Sequence, residues 1–256
     1  MLSSYVRKYW FLEGFSEEGT NVERILPDGC TELIIHYGQP FRKIDGNNQK
    51  LQETAFVFGQ LDRFIDLLPE KNIGVMGVRF HPWGLNQFIK IPSASLKGEA
   101  VSLKNLFGTS EQELVDKILN STNVKQKAGI MDMFLLNHFK NKTSYSRISS
   151  IIDQIKEHRG SLSIDGLTRM TGHSERQLER CFNNEIGLSP KAFSRITRLQ
   201  NALRLATKAR NLTDLALSAG YYDQAHFSRE FTDIAGQSPR NYFKGEKGIN
   251  GLFFEA

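Results

Sequence analysis

The back half of this 256-residue chain repeats itself, and the repeat limits the fold more than any other feature. Leu167 and Gly172 recur as Leu215 and Gly220 at an offset of 48. Arg180, Phe182, Gly187, Ser189 and Pro190 then recur as Arg229, Phe231, Gly236, Ser238 and Pro239 at an offset of 49, so one residue has been added in the second turn. Each copy has the parts of a helix-turn-helix: a short helix, a glycine-containing turn and a second helix. Gly172 and Gly220 supply the left-handed backbone that a tight turn needs. Ala216, four residues before its glycine, lets two helices approach, and the bulkier Thr168 holds that place in the first copy. Ser174 and Asp223 are N-caps for the second helix of each unit. Leu178 with Phe182, and Phe227 with Phe231, stand four residues apart and pin one face of that helix inward, which leaves the opposite face free.

Helical patterning extends through the whole back half. Ile148, Ile151, Ile152 and Ile155 form one helix face that Gly160 ends. Helices are then expected over Ser163 to Thr171, Ser174 to Ile186, Ser189 to about Lys208, Thr213 to Ala219, Asp223 to Ala235 and Ser238 to Phe243. The third starts at a Ser-Pro pair and, at about 1.5 Å per residue, predicts a strut of roughly 30 Å. That is close to the roughly 34 Å between two helices reading successive turns of one duplex face.

Charge agrees with a polyanionic partner. Residues 145–256 hold 16 Lys and Arg against 12 Asp and Glu, whereas residues 1–144 hold 17 against 16. The basic excess is therefore in the repeat, and no Asp or Glu occurs from Ile186 to Thr213. A charge run alone reads as a solvated helix face, and tandem helical repeats can build a protein-binding solenoid. Two copies are fewer than the three or more a solenoid needs.

The front half has a different period. Val6 to Leu12, Thr31 to Tyr37, Ala55 to Gly59, Phe64 to Leu68 and Ile73 to Phe80 read as strands, with turns at Pro27-Asp28-Gly29, Asp45-Gly46-Asn47-Asn48 and Pro69-Glu70-Lys71-Asn72. They predict a small β-sandwich or barrel, followed by helical patterning over Trp83 to Ile89, Ser110 to Leu119 and Val124 to Phe139. The fold class expected is therefore two domains, the first α+β and the second all-α with two helix-turn-helix units joined by a long helix. The boundaries expected are 1–140, β-rich over 1–80 and helical over 83–140, and 146–245, with units at 163–186 and 213–235. Lys140-Asn141-Lys142-Thr143-Ser144 reads as the linker.

Cys30 and Cys181 fall in different halves, which fits a reduced cytoplasmic setting. Neither an apolar secretory core nor a membrane-length apolar run is present in the sequence. His36 and His81 stand far apart and read as structural histidines, so no metal, cofactor or catalytic residue is expected. Cys181, beside Phe182, reads as a small buried hydrophobe. Cys30, after a glycine, is the one candidate nucleophile or redox sensor. Arg79, a charge amid the apolar Gly77-Val78-Arg79-Phe80, must find a partner. That partner is either a ligand or an ion pair to Asp28 or Glu32.

The run Asp223-Gln224-Ala225-His226-Phe227-Ser228-Arg229-Glu230-Phe231, then Gly236-Gln237-Ser238-Pro239 and Tyr242, with Asp214-Leu215-Ala216 leading to Gly220, resembles the signature of the AraC/XylS family of bacterial transcription regulators. Departures are Thr168, where alanine is usual, and Thr232, where lysine is common. The resemblance implies that Arg176, Gln177, Glu179 and Arg180 of the first copy, and Gln224, His226 and Arg229 of the second, face DNA bases. Their chemistry suits guanine, adenine and cytosine edges. It implies phosphate contacts for Ser174, Lys191, Arg195, Arg198, Asp223, Ser228 and Arg240. The competing role for Arg180 and Arg229 is an ion pair with Glu185 or Asp233, and for His226 a capped surface position.

Leu26 to Ile34 and Gly77 to Gly84 resemble motifs of an uncharacterised domain found before AraC-type halves, which implies effector sensing or dimerisation, with Arg79 the candidate effector contact. The partners expected are double-stranded DNA, RNA polymerase, an unidentified small-molecule effector and a second copy of the chain, with no membrane. Two alternatives stand beside a ligand-responsive regulator. One is a DNA-targeted enzyme using cysteine or metal chemistry in the front domain, and the other a constitutive regulator whose front domain only dimerises.

Overall fold

In the computed structural model the described residues are 1–15, 22–140 and 145–244, without the side chains at 145 and 146. Asn141 to Ser144, most of the expected linker, lie outside them. The front half builds two antiparallel sheets from β1 (Val6–Phe15), β2 (Glu23–Ile25), β3 (Glu32–His36), β4 (Arg42–Asp45), β5 (Asn48–Leu51), β6 (Ala55–Phe58), β7 (Ile65–Leu68), β8 (Asn72–Phe80) and β9 (Ala100–Ser102). The larger sheet runs β1-β8-β3-β6-β9 and the smaller β2-β7-β4-β5. All five strands expected from sequence are present. The added strands β2, β4, β5 and β9 are three or four residues long. β5 is wholly exposed and polar but for Leu51 at its end, so it carries no alternation to read. Its hairpin with β4 is closed where Asp45 pairs with Asn48, at the turn expected there.

The central strands β8, β3 and β6 of the larger sheet are buried on both faces, which is why they read as apolar runs. On one face Leu33, Ile35, Val57, Met76, Val78 and Phe80 pack toward helices. On the other, Ile34, Phe56, Phe58 and Val75 pack toward the smaller sheet. The helices of the front half are α1 (Leu103–Phe107), α2 (Ser110–Leu119) and α3 (Val124–His138). Trp83 to Ile89 is not the α-helix its pattern suggested. It holds one 3-10 turn, Leu85–Gln87, closed by bonds such as Gln87 N–H to Gly84 O at 3.1 Å, and is still buried at Leu85, Phe88 and Ile89.

The back half contains α4 (Tyr145–Glu157), α5 (Ile164–Thr171), α6 (Glu175–Glu185), α7 (Pro190–Leu205), α8 (Leu212–Ser218), α9 (Gln224–Ala235) and α10 (Pro239–Tyr242). The last six each start at a side-chain cap, in order Ser163, Ser174, Ser189, Asn211, Asp223 and Ser238. The strut is shorter than expected. α7 has 16 residues, or about 24 Å at ~1.5 Å per residue. Lys208 and Ala209 both donate back to Leu205 O, at 2.9 and 3.1 Å, which turns the chain before the next cap.

The two halves do not have separate cores. One cluster runs from the larger sheet through α2 and α3 into Ile148, Ile152 and Ile155 of α4, Leu167, Leu178, Phe182 and Ile196. A second joins Leu199 and Ala202 of α7 to Leu215, Ala216, Phe227, Phe231 and Ile234, and takes in Leu26 from the front half.

Candidate nucleic-acid interface and front cavity

In the first unit, Ser174 and Gln177 form a reciprocal capping box, with Ser174 N–H donating to Gln177 Oε1 at 2.8 Å. Leu178 and Phe182 are buried, and Arg176, Gln177 and Arg180 stand exposed on the other side of α6, with Glu179 half-buried. Arg176 and Arg180 have no hydrogen-bond or ion-pair partner among the described residues. Gln177 spends its carbonyl on the cap, so its amide donors are what it can offer outward. Gly172 takes the left-handed conformation after α5, at φ 67°.

The second unit has the same frame. Asp223 Oδ1 accepts from His226 N–H at 2.6 Å, and Phe227 and Phe231 are fully buried. Arg229 and Gln224 are exposed, while His226 and Ser228 are half-buried. Gln224 Oε1 accepts from the Thr213 hydroxyl at 2.6 Å, which ties α9 to α8. The His226 ring meets Tyr221 edge-on at 5.4 Å. The residue added to this turn falls beside Tyr222, which is 87% exposed, next to the buried Tyr221. Asp233, one competing partner for Arg229, is taken by Arg195 at 2.5 Å.

The basic helix is only partly a solvent face. Glu230 of α9 is 8% exposed and receives Arg195 at 3.1 Å and Arg198 at 3.0 Å. Arg198 also lies over the Tyr221 ring at 4.9 Å. Arg195 and Arg198 thus join α7 to the second unit, because a buried carboxylate must be compensated. Arg210 pairs with Asp214. Of the expected phosphate contacts, Lys191 and Arg240 remain exposed, and Ser174 and Asp223 serve as caps. Glu230 was the residue sequence reading missed, and an acid among the buried faces of α9 was its signal.

Between the two sheets lies a cavity of about 100 Å³. Glu32, Ile34 and His36 alternate along one face of β3 into its wall, joined by Trp10, Phe56 and Phe58. Arg79, 5% exposed, is ion-paired with Asp28 and with Glu32 Oε1, the latter at 3.2 Å. The Trp10 indole N–H donates to the same Glu32 oxygen at 3.2 Å. Burial pushes the Glu32 carboxyl up to about 7, against the pull of that indole N–H and of Lys8. Burial likewise lowers His36 to about 4, so it is neutral, and its Nε2 meets Gln52 Oε1 at 3.2 Å. His81 stacks on Trp83 at 5.2 Å. Cys30 lines the cavity with its thiol pushed above its ordinary value by burial. Among the described residues no three His, Cys, Asp or Glu gather to hold a metal, and no helix is long and apolar enough to cross a membrane.

The cavity wall continues into the back half. Leu26 lines the cavity and belongs to the second unit's core. Phe64 N–H donates to Ile234 O at 2.8 Å, and Arg24 donates to Ala235 O at 3.1 Å while covering the Phe64 ring at 3.9 Å. Gln200 of α7 donates to Pro27 O at 2.7 Å, and Ser93 donates to Glu185 O at the end of α6 at 3.1 Å.

Comparisons with known proteins follow the same division. Residues 1–102 match a family described as Domain of unknown function (DUF6597), and residues 167–245 match one described as Helix-turn-helix domain. An uncharacterized HTH-type transcriptional regulator of Staphylococcus aureus strain MSSA476 is 31% identical over 98 residues, 38% of this chain and 13% of that protein. The chain thus spans about an eighth of the length of the curated relatives it matches first. ToxT from Vibrio cholerae has the same overall fold, at TM-score 0.54 and 10% identity, over 94% of this chain and 99% of that one. ToxT has also been solved bound to (E)-4-(8-methylnaphthalen-1-yl)but-3-enoic acid. A probable AraC family transcriptional regulator from Rhodopseudomonas palustris is 30% identical, covering 37% of this chain and 95% of its own, at TM-score 0.31. With its two capped helix-turn-helix units, the back half of this chain is a helix-turn-helix domain of the AraC type, and it stands behind an N-terminal domain of a family without assigned function.

Proposed function

We propose that this protein is a sequence-specific DNA-binding regulator that reads two successive major grooves and is modulated by a small molecule in its front cavity. The observation that carries the DNA reading is the pair of exposed faces: α6 offers Arg176 and Arg180, α9 offers Arg229, and each helix is fixed behind by two buried side chains. Arginine reads guanine O6 and N7 in the major groove. Lys191 and Arg240 supply phosphate contacts beside them. The strut of about 24 Å joins the units. RNA polymerase and a second copy of the chain are further partners in this reading.

Modulation is supported by continuity. Leu26 belongs both to the cavity wall and to the core of the second unit, so a ligand that moves that wall changes the support of α9. The ligand-bound ToxT is a protein of this fold that takes a small organic molecule. An enzyme built on Cys30 is disfavoured because burial holds its thiol protonated.

Selection of bound fragments from a genomic library with the full chain would yield the operator. Arg180→Ala and Arg229→Ala should then each lose about 1–3 kcal/mol of discrimination at one base position. Unchanged specificity in both would overturn the readout.

A further inference from the structure

The front cavity has a chemistry of its own. Among the described residues Arg79 is the one cationic side chain in its wall; it is already engaged by Asp28 and Glu32, and Glu23 adds a third carboxylate. Among the described residues the wall is therefore acidic on balance and holds no cation in reserve for an anionic ligand. Two polar atoms of its lining residues are acceptors without a donor among the described residues. Both contacts to Glu32 fall on Oε1, which leaves Oε2 to a ligand. His36 is 1% exposed, donates from Nε2 to Gln52 and has no partner at Nδ1. A carboxylate oxygen without a donor is relieved by a ligand bearing N–H groups. Around these acceptors stand the rings of Trp10, Phe41, Phe56 and Phe58. The negative faces of such rings attract an alkylammonium group. At about 100 Å³, the space is smaller than the roughly 150 Å³ cavity known to take benzene. That size calls for a short alkyl body.

We propose that this cavity binds a small hydrophobic amine, with its ammonium group against the Glu32 carboxylate and the Trp10 indole and its apolar body among the rings of Phe41, Phe56 and Phe58. The inference rests on the effector reading of the front half and gives it a ligand class, opposite in charge to the acid bound by ToxT. Asp28, Arg79 and Lys8 are the charged groups around Glu32, and the first two neutralise each other.

The test compares pentylamine, pentan-1-ol and hexanoate on the full-length protein by calorimetric titration and thermal shift. Pentylamine should raise the Tm and bind at least about tenfold tighter than the other two, as a charged hydrogen bond implies. Glu32→Gln should bring the amine down to the alcohol. Should that variant not fold, the three-ligand comparison on the unaltered protein decides alone. Equal binding of amine and alcohol, tighter binding of hexanoate, or an unchanged amine affinity in Glu32→Gln would overturn the amine while leaving the effector site standing. Binding of none of the three would remove the cavity as an effector site and the amine with it.

Discussion

The two helix-turn-helix units share a sequence pattern but not a mechanical setting. Leu178 and Phe182 of the first are part of the cluster that begins in the larger β-sheet, so that unit is continuous with the front half. Phe227 and Phe231 of the second sit in their own cluster, to which the front half gives Leu26 and the edge of Phe64. The first recognition helix is therefore fixed by bulk packing. The second is held by a few separable contacts: Phe64 N–H to Ile234 O, Arg24 to Ala235 O, and Glu230 to the arginines of α7. A repeat can conserve the reading face of a unit while leaving its attachment to the rest of the molecule free to differ.

The largest effect that could break this comparison comes from the cores. Phe182→Ala should cost about 3–5 kcal/mol and lower a single unfolding transition for the front half and first unit together. Phe231→Ala should cost as much locally but separate a second-unit transition in calorimetry. One transition, equally lowered in both variants, would show that the units are coupled alike. Next, Glu230→Gln leaves Arg195 and Arg198 facing a neutral amide. With Arg195 about a third exposed, the loss should fall near 3 kcal/mol, the low end for breaking a buried pair. It should appear in urea unfolding of the second unit alone.

Phe64→Ala removes a half-buried ring and should cost about 1–2 kcal/mol. Its signature is faster amide exchange at residue 64, with α6 amides unchanged. The smallest effects sharpen the equivalence of the caps: Ser174→Ala and Asp223→Ala should each cost about 1 kcal/mol, read as matched losses of helix stability by circular dichroism. A loss confined to one would mean that the two turns are not equivalent.

The parts legible in sequence were those governed by neighbours along the chain. Caps at Ser163, Ser174, Ser189, Asp223 and Ser238, the isoleucine face of α4 and the five expected strands follow from local spacing and turn chemistry. The short strands β4 and β5, each with a single aliphatic residue, have no buried face to read, and Trp83 to Ile89 looked helical because its buried positions fit a helical period by chance. The exposed arginine face was legible for the same reason as the caps: Arg180 and Arg229 oppose the buried Phe182 and Phe231 within single helices. Arg195 and Arg198 were not, since the charge run they belong to carries no acid of its own and Glu230 lies more than 30 residues away. Arg79 was legible as a charge needing a partner, with Asp28 and Glu32 already among the choices.

By itself the sequence determined the paired helix-turn-helix units, because a 48-to-49-residue repeat of glycines, caps and buried rings admits few other arrangements. Only the tertiary structure decided which arginines face outward and which are bound inward, and that one cavity wall is also the second unit's support. Periodicity assigns each side chain to a face of its own element, but the elements that meet that face come from distant parts of the chain. Charge partnership and coupling between sites depend on that meeting.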